Sequence, residues 1–444
     1  MVGLLPRAPL MDFAESLAYL LSLGHETLAI KLGLRNTELL LEALGNPQRS
    51  YESAQIAGTN GKGSTAAMLA SICRHAGIET GLYTSPHLRS ITERISIDGA
   101  RISEYSFGVF ASKVREAAEG LLAQGKLEAL PTFFEHVTAI ALLAFQEAHL
   151  KLAILETGLG GRLDATTVAG AKTVAITPVS LDHQEYLGET LAEIAFEKAA
   201  IIRPGVTAVI APQSAEVLDV ILKRCDECDV QVTVPGCRTF ELGATPEGMF
   251  NVTFETSEDR YENVHLLMRG RHQITNAGLA IQLAEALRRR GFAIPKAAII
   301  DGIQTVRHDG RLGVCGGSIL LDGAHNPDAA RSLREYLDEF VKKPLTLIFG
   351  AMKDKQVAEM AAILFPGVNH LILTQPDNPR AASVESLQTL AENFVPRGKI
   401  FAVPNVSEAL EKAQALTSDG QICATGSLYL VGEISAAHYA ASLG

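Results

Sequence analysis

The amino-acid sequence predicts an α/β protein of two domains: a larger, mostly parallel sheet of P-loop type, then a smaller Rossmann-like α/β unit. Three observations predict it. Short apolar runs rich in β-branched residues alternate with longer helical patterns, as in a parallel sheet covered on both faces. A glycine-rich turn leads from the first of these strands into a helix. A polar, glycine-bearing stretch, Thr305 to Gly313, then separates this series from a second one.

In the first series SAQIAG is a strand leading to a helix over 62–75. KLAILET and KTVAITPV are further strands, a helix covers 190–202, and VTAVIA is the next strand. The apolar run Val137 to Phe145 is too short to span a bilayer and reads as a buried helix. Between Phe240 and Met268 polar and apolar residues alternate, with Gly and Pro punctuation, which predicts an antiparallel excursion at the sheet's edge. After Arg311 the second series supplies five strands, in GSILLDGA, PLTLIFGA, NHLILTQ, KIFAVP and QICATG, with helices from Pro327 and Ser383. Domains over 1–306 and 307–444 follow, and 444 residues is more than one hydrophobic core usually serves.

Composition narrows the function. A formal net charge of -11 opposes nucleic-acid binding, which needs a basic face, so anionic ligands require local basic pockets. No apolar run is long enough for a membrane span, and the opening MVGLLPRAPLMDFAES is a poor signal peptide because Arg7 and Asp12 interrupt it. A cytoplasmic protein is expected. Six cysteines are too few for a disulfide scaffold, and CDEC with Cys237 lacks a fourth zinc ligand.

IAGTNGKGST, Ile56 to Thr65, carries the chemistry furthest. Gly58, Thr59, Asn60, Gly61 and Gly63 form a turn whose N–H groups face phosphate at a helix N-terminus, with Lys62 adding charge and Ser64 a hydroxyl for Mg²⁺. The pattern departs from the standard phosphate loop because Gly63 separates Lys62 from Ser64 and no glycine stands six residues before Lys62. Glu156 ends the strand KLAILE, where a parallel sheet presents ligands, and a carboxylate there suits a hard cation. His183 follows another strand end. Lys198 lies in LAEIAFEKAAII, an amphipathic helix whose lysine would ordinarily be solvated.

GTNGKGS resembles the loop of the folylpolyglutamate and dihydrofolate synthases of the Mur ligase superfamily. Further blocks of that family follow in order: TSPHL at Thr84, FFE at Phe133, ETGLGGRLDATT at Glu156, LDH at Leu181 and EKAAI at Glu197. HQITNA at His272, GRL at Gly310, LDGAHN at Leu321 and TGSLYL at Thr425 complete the series. The resemblance spans nearly the whole chain. It implies an ATP-dependent ligase that adds L-glutamate to dihydropteroate and to reduced folates through an acyl phosphate.

By that resemblance Ser85, Glu156 and His183 hold Mg²⁺ beside Ser64, Lys198 is carbamylated, and Asn276 and Asp322 hold the nucleotide, which His325 is also suited to hydrogen bond. Arg311 reaches the phosphates when the domains close, and Lys62, Lys198 and Arg311 form the catalytic set. Asp309 stands where the family often has proline, which touches the stiffness of the linker. An apolar slot for the pterin is expected around Leu32, Gly33, Phe134, Glu135, Leu163 and Asp164. K⁺ is a candidate second cation, and a monomer without nucleic-acid or membrane partners is expected. Two other readings stay open. One is polyglutamylation alone; the other is a non-catalytic nucleotide-binding switch or scaffold.

Overall fold

The computed structural model describes residues 10–24, 33–233 and 236–441. The strands of the first region are β1 (Glu52–Ala57), β2 (Thr80–Tyr83), β3 (Ile95–Ile97), β4 (Ala100–Arg101), β5 (Leu152–Glu156), β6 (Thr173–Ile176), β7 (Thr207–Ile210) and β8 (Val232–Thr233). They form one sheet in the order β4-β3-β2-β5-β1-β6-β7-β8, in which only β3 and β4 run antiparallel to their neighbours. β5 is buried along its whole length, as a strand covered on both faces must be.

Alternation along the strands assigns the two faces. Ala54, Ile56, Leu152 and Ile154 pack with the helices Lys62–His75, His272–Arg289 and Lys296–Thr305. Ala153 and Leu155 point the other way, onto Phe133–Glu147 and Glu104–Ala123, and the expected buried run Val137 to Phe145 is part of the first of these. Chain order reverses around β1: its helix leads away on one side to β2, while β6 lies on the other. A cleft therefore opens at the carboxyl ends of β1, β5 and β6. Register sets Ile56 opposite Glu156 and Ala57 opposite Ile176, so the glycine-rich turn, Glu156 and the loop after β6 share that edge.

The excursion after Phe240 is antiparallel, but it is not at the edge of this sheet. β9 (Arg238–Ala244), β10 (Phe250–Glu255) and β11 (Arg260–His265) form their own three-stranded sheet. Phe250, Val252 and Phe254, alternate residues of β10, are buried in the core shared with His272–Arg289. An apolar face of this kind buries equally well on a helix layer, so alternation specified the strands without specifying their neighbour.

The second region has six strands rather than five: β12 (Gly313–Cys315), β13 (Ile319–Leu321), β14 (Leu345–Phe349), β15 (His370–Leu373), β16 (Ile400–Ala402) and β17 (Gln421–Thr425), ordered β12-β13-β17-β14-β15-β16. β12, absent from the sequence expectation, is a three-residue antiparallel strand hairpinned to β13 and too short to show a period. Residues 306–312 join the regions. The helix Pro327–Phe340 carries this second region back onto the first: Tyr336 Oη donates to the Glu247 carbonyl at 2.9 Å, and Phe340 meets Phe250 edge to face.

Candidate functional site

β1 ends directly in the turn. A Cβ on Gly58 would collide with Thr177 Oγ1, and one on Gly61 with Asn276 Oδ1; both glycines have positive φ, +142° and +89°. Thr59 and Asn60 spend their N–H groups on the Pro178 carbonyl at 3.0 and 3.2 Å, which ties the turn to the loop after β6. Phosphate recognition therefore moves one step along. Thr65 N–H is the first to bond back, to Gly61 at 2.9 Å, so Lys62, Gly63 and Ser64 supply the helix-opening donors. Gly61→Ala is expected to fold, within a few degrees of the wild-type Tm, yet to lose about a hundredfold in kcat/KM for ATP through misplacement of the loop. Calorimetry and steady-state kinetics on one preparation check both halves.

Lys62 Nζ donates to the Thr59 carbonyl at 3.1 Å. Burial pushes its ammonium below the ordinary range, against the pull of Glu156 and Asp182. Glu156 is buried, accepts from Ser85 N–H at 3.0 Å, and is pushed up by burial with Lys62 opposing.

Lys198 is not a solvated lysine. It is 5% exposed, donates to the Gly58 carbonyl at 2.8 Å, and burial, with Lys62 nearby, brings its pKa down to about 7. The helix Leu191–Ala199 turns this residue inward because its neighbours Ile194, Ala195 and Ala199 are core residues.

Asp182, just before His183, gathers two side chains from the second region. Lys355 Nζ lies 2.6 Å from its Oδ1 and His325 Nε2 lies 3.5 Å from its Oδ2. Burial alone would raise this carboxyl, but the His325 hydrogen bond and the Lys355 ammonium hold it well below the usual carboxylate range. His183 has a left-handed backbone, φ +52°, and its Nε2 faces Lys355 Nζ at 3.3 Å; burial lowers its pKa to about 3, so the ring is neutral. Asp322 accepts from Leu312 and Ala324 N–H at 3.0 and 2.9 Å, fixing the joining segment just after Arg311.

Two of the three cavities that meet here, among the described residues, hold the expected site residues. One, about 420 Å³, is lined by Thr59 to Ser64, Ser85, Glu156, His183, Lys198, Asn276, Arg311, Asp322 and His325. Of the expected nucleotide and metal residues, only Gly58 lies outside its lining. The second, about 220 Å³, has an apolar wall of Phe134, Leu159, Leu163, Leu187 and Met352, with Lys355 and Arg380 at its side from the second region. Ser85, Pro86, Gly158, Leu159, His183, His325 and Leu428 line both, so a ligand in either is within reach of the other.

Comparison with known proteins identifies this arrangement. Residues 56–284 match the Mur ligase middle domain, and residues 310–428 match the Mur ligase glutamate ligase domain. A dihydrofolate synthase/folylpolyglutamate synthase of Bacillus subtilis is 33% identical over 420 residues, 93% of this chain and 96% of that one. The chain belongs to the folylpolyglutamate synthase and dihydrofolate synthase family of the Mur ligase superfamily. A structure of Mycobacterium tuberculosis folylpolyglutamate synthase complexed with ADP superposes with a TM-score of 0.89, at 31% identity, over 96% of this chain and 99% of that one. An Escherichia coli FolC structure in complex with DHPP and ADP gives 0.84 at 29% identity, over 97% and 99%. The chain spans about half the length, 51% and 50%, of two curated relatives, probable bifunctional folylpolyglutamate synthase/dihydropteroate synthases of Halobacterium salinarum and Haloferax volcanii.

Within this family member the apolar cavity takes in Gly33, Phe134, Glu135, Leu163 and Asp164, while Leu32 falls outside the described residues. Two of these residues have structural duties instead of free side chains. Glu135 caps its own helix by accepting from Thr132 N–H at 2.7 Å and also accepts from Thr37 Oγ1 at 2.8 Å. Asp164 accepts from Gly158, Leu159 and Thr166 N–H at 2.8, 2.9 and 3.0 Å and so shapes the loop. Glu135 and Asp164 therefore belong to the wall's framework, and Phe134 and Leu163 to its surface. The cysteines flagged for zinc separate: Cys225 and Cys228 are core residues on one face of the sheet, while Cys237 lies by Gly278 on the other. Sequence reading missed Asp182, Lys355, Asn326 and Arg380. Asp182 and Asn326 stood inside quoted blocks, but nothing in either block pointed across the cleft.

Proposed function

We propose that this chain is an ATP-dependent ligase joining L-glutamate to dihydropteroate and to reduced folates. The observation that carries it is the shared wall between a phosphate-binding cavity and an apolar slot, since acyl-phosphate chemistry needs a carboxylate beside the γ-phosphate. A substrate carboxylate oxygen attacks the γ-phosphorus and ADP leaves. Glutamate's amine, having lost a proton, attacks the acyl carbon, and the tetrahedral intermediate collapses with loss of phosphate. Lys62, Arg311 and the helix-opening N–H groups spread the transferring charge.

Lys355 and Arg380 offer the amino acid's carboxylates a cationic seat beside the apolar slot. The donor atoms of Ser64, Ser85, Glu156 and His183 line one cavity and fit Mg²⁺, with His183 Nε2, which faces Lys355 Nζ in this structure, as the nitrogen donor. Bound there, Mg²⁺ would neutralise phosphate charge. Both activities are favoured over polyglutamylation alone because the Bacillus relative's name pairs them. Division at 306/307, a cytoplasmic location and a monomer complete the proposal. No helix among the described residues is long and apolar enough to cross a membrane.

The test is phosphate release with ATP and glutamate, with dihydropteroate and tetrahydrofolate supplied in turn. Release with both is expected. Release with tetrahydrofolate alone leaves only polyglutamylation, and silence with both returns the chain to a nucleotide-binding switch.

A further inference from the structure

The two regions are joined across the cleft by a side-chain amide pair. Asn326 Nδ2 donates to Asn60 Oδ1 at 3.0 Å, and Asn60 Nδ2 donates back to Asn326 Oδ1 at 3.3 Å. Asn326 also donates to Asp182 Oδ2 at 3.2 Å, and its Oδ1 accepts from Ala329 N–H at 2.9 Å, capping the helix Pro327–Phe340. Two donors and two acceptor sites are thus all in use on a side chain 2% exposed. Asn60 lies in the turn that precedes Lys62, and its own Nδ2 reaches Ser180 Oγ at 3.3 Å.

We propose that Asn326 is a positioning residue, a clasp through which closure of the second region sets the phosphate turn. Asn326 itself lines neither cavity. It acts through Asn60, whose neighbours supply the phosphate donors, and through Asp182, which holds Lys355 at the side of the apolar slot. Loop geometry and the amino acid's seat are therefore completed by the same contact. Buried hydrogen bonds of this kind discriminate sharply, because an unmatched partner keeps the full cost of its lost water. A serine keeps the helix cap but is too short to reach Asn60; an aspartate keeps the cap and sets a carboxylate against Asp182.

The inference rests on the ligase reading for its assay, and a mutant cycle tests it. Asn326→Ser and Asn326→Asp are expected to keep the wild-type Tm within a few degrees and to lower kcat by about a hundredfold with little change in KM for ATP. Asn60→Ala alone is expected to lower kcat by at least about tenfold. Added to Asn326→Ser it should cost no more than about threefold, because the pair is already broken. Losses that multiply in full, or a kcat for Asn326→Ser near wild type, overturn the clasp. Small-angle scattering adds a readout independent of turnover: wild type should match the compact arrangement described here, and all three single variants should be more extended. If Asn326→Ser does not fold, Asn60→Ala decides the matter, and a wild-type scattering profile from it overturns the proposal. Silence of the wild type in the assay removes the ligase reading, while the scattering comparison still tests the clasp.

Discussion

Lys62→Ala is expected to lower glutamate-dependent phosphate release by about a thousandfold in kcat/KM, the scale on which single charge-stabilising groups act at a transferring centre. The residue combines the helix-opening position, a half-buried side chain, and a place with Glu156 in one cavity lining. Stability should move the other way. Burying a lysine costs desolvation that Glu156 and Asp182 only partly return, so Lys62→Met, of similar volume, is expected to match or exceed the wild-type Tm while remaining as inactive as Lys62→Ala. A Met variant that is inactive because it is unfolded would contradict this account. Steady-state phosphate release and thermal unfolding together decide it.

Lys198→Ala is expected to lower kcat by about a hundredfold, and the reason is its accessible neutral form. With a pKa brought down to about 7, a large share of the amine is unprotonated near neutral pH. Its nitrogen lone pair can then bond to the carbon of CO₂, the nitrogen giving up one proton to solvent, and the product is a carbamate anion. Wild-type protein in CO₂-free buffer should lose activity and regain it on addition of bicarbonate, with intact-mass spectrometry showing a gain of one CO₂. Lowering pH from 8 to 6 should reverse the gain, because protonation removes the nucleophile. Lys198→Ala should ignore bicarbonate; full activity in this variant sinks the role.

The same shift has a definite sign for stability. Lys198 binds protons more weakly in the folded chain, about 7 against an ordinary 10.5, so the unfolded chain holds the extra proton between those values. Its contribution penalises folding fully below about pH 7 and fades as pH rises toward 10.5. Lys198→Met should flatten that part of the profile.

Much of this site was readable in residue order, and what escaped has a common cause. The turn at Gly58 to Ser64, the acid at the end of β5 and the following helices are local patterns, fixed by neighbours within a few residues. Asp182 with Lys355 and Asn60 with Asn326 are pairs separated by 173 and 266 positions, which no periodicity records. Lys198 carries two opposite readings in its helix until Gly58 is seen to be its partner. Glu135 carries a second duty that was legible too: Thr132 and Glu135 spell a capping box in plain sequence, while Glu135 also lines the apolar cavity.

The wall shared by the two cavities draws its residues from both regions: Ser85, Pro86, Gly158, Leu159 and His183 from the first, His325 and Leu428 from the second. A ligand on either side that favours the assembled wall must favour it for its neighbour too. Linkage then makes the benefit mutual: the factor by which nucleotide tightens the acceptor equals the factor by which acceptor tightens nucleotide. An acceptor analogue titrated with and without ADP, and ADP titrated with and without the analogue, should return one number.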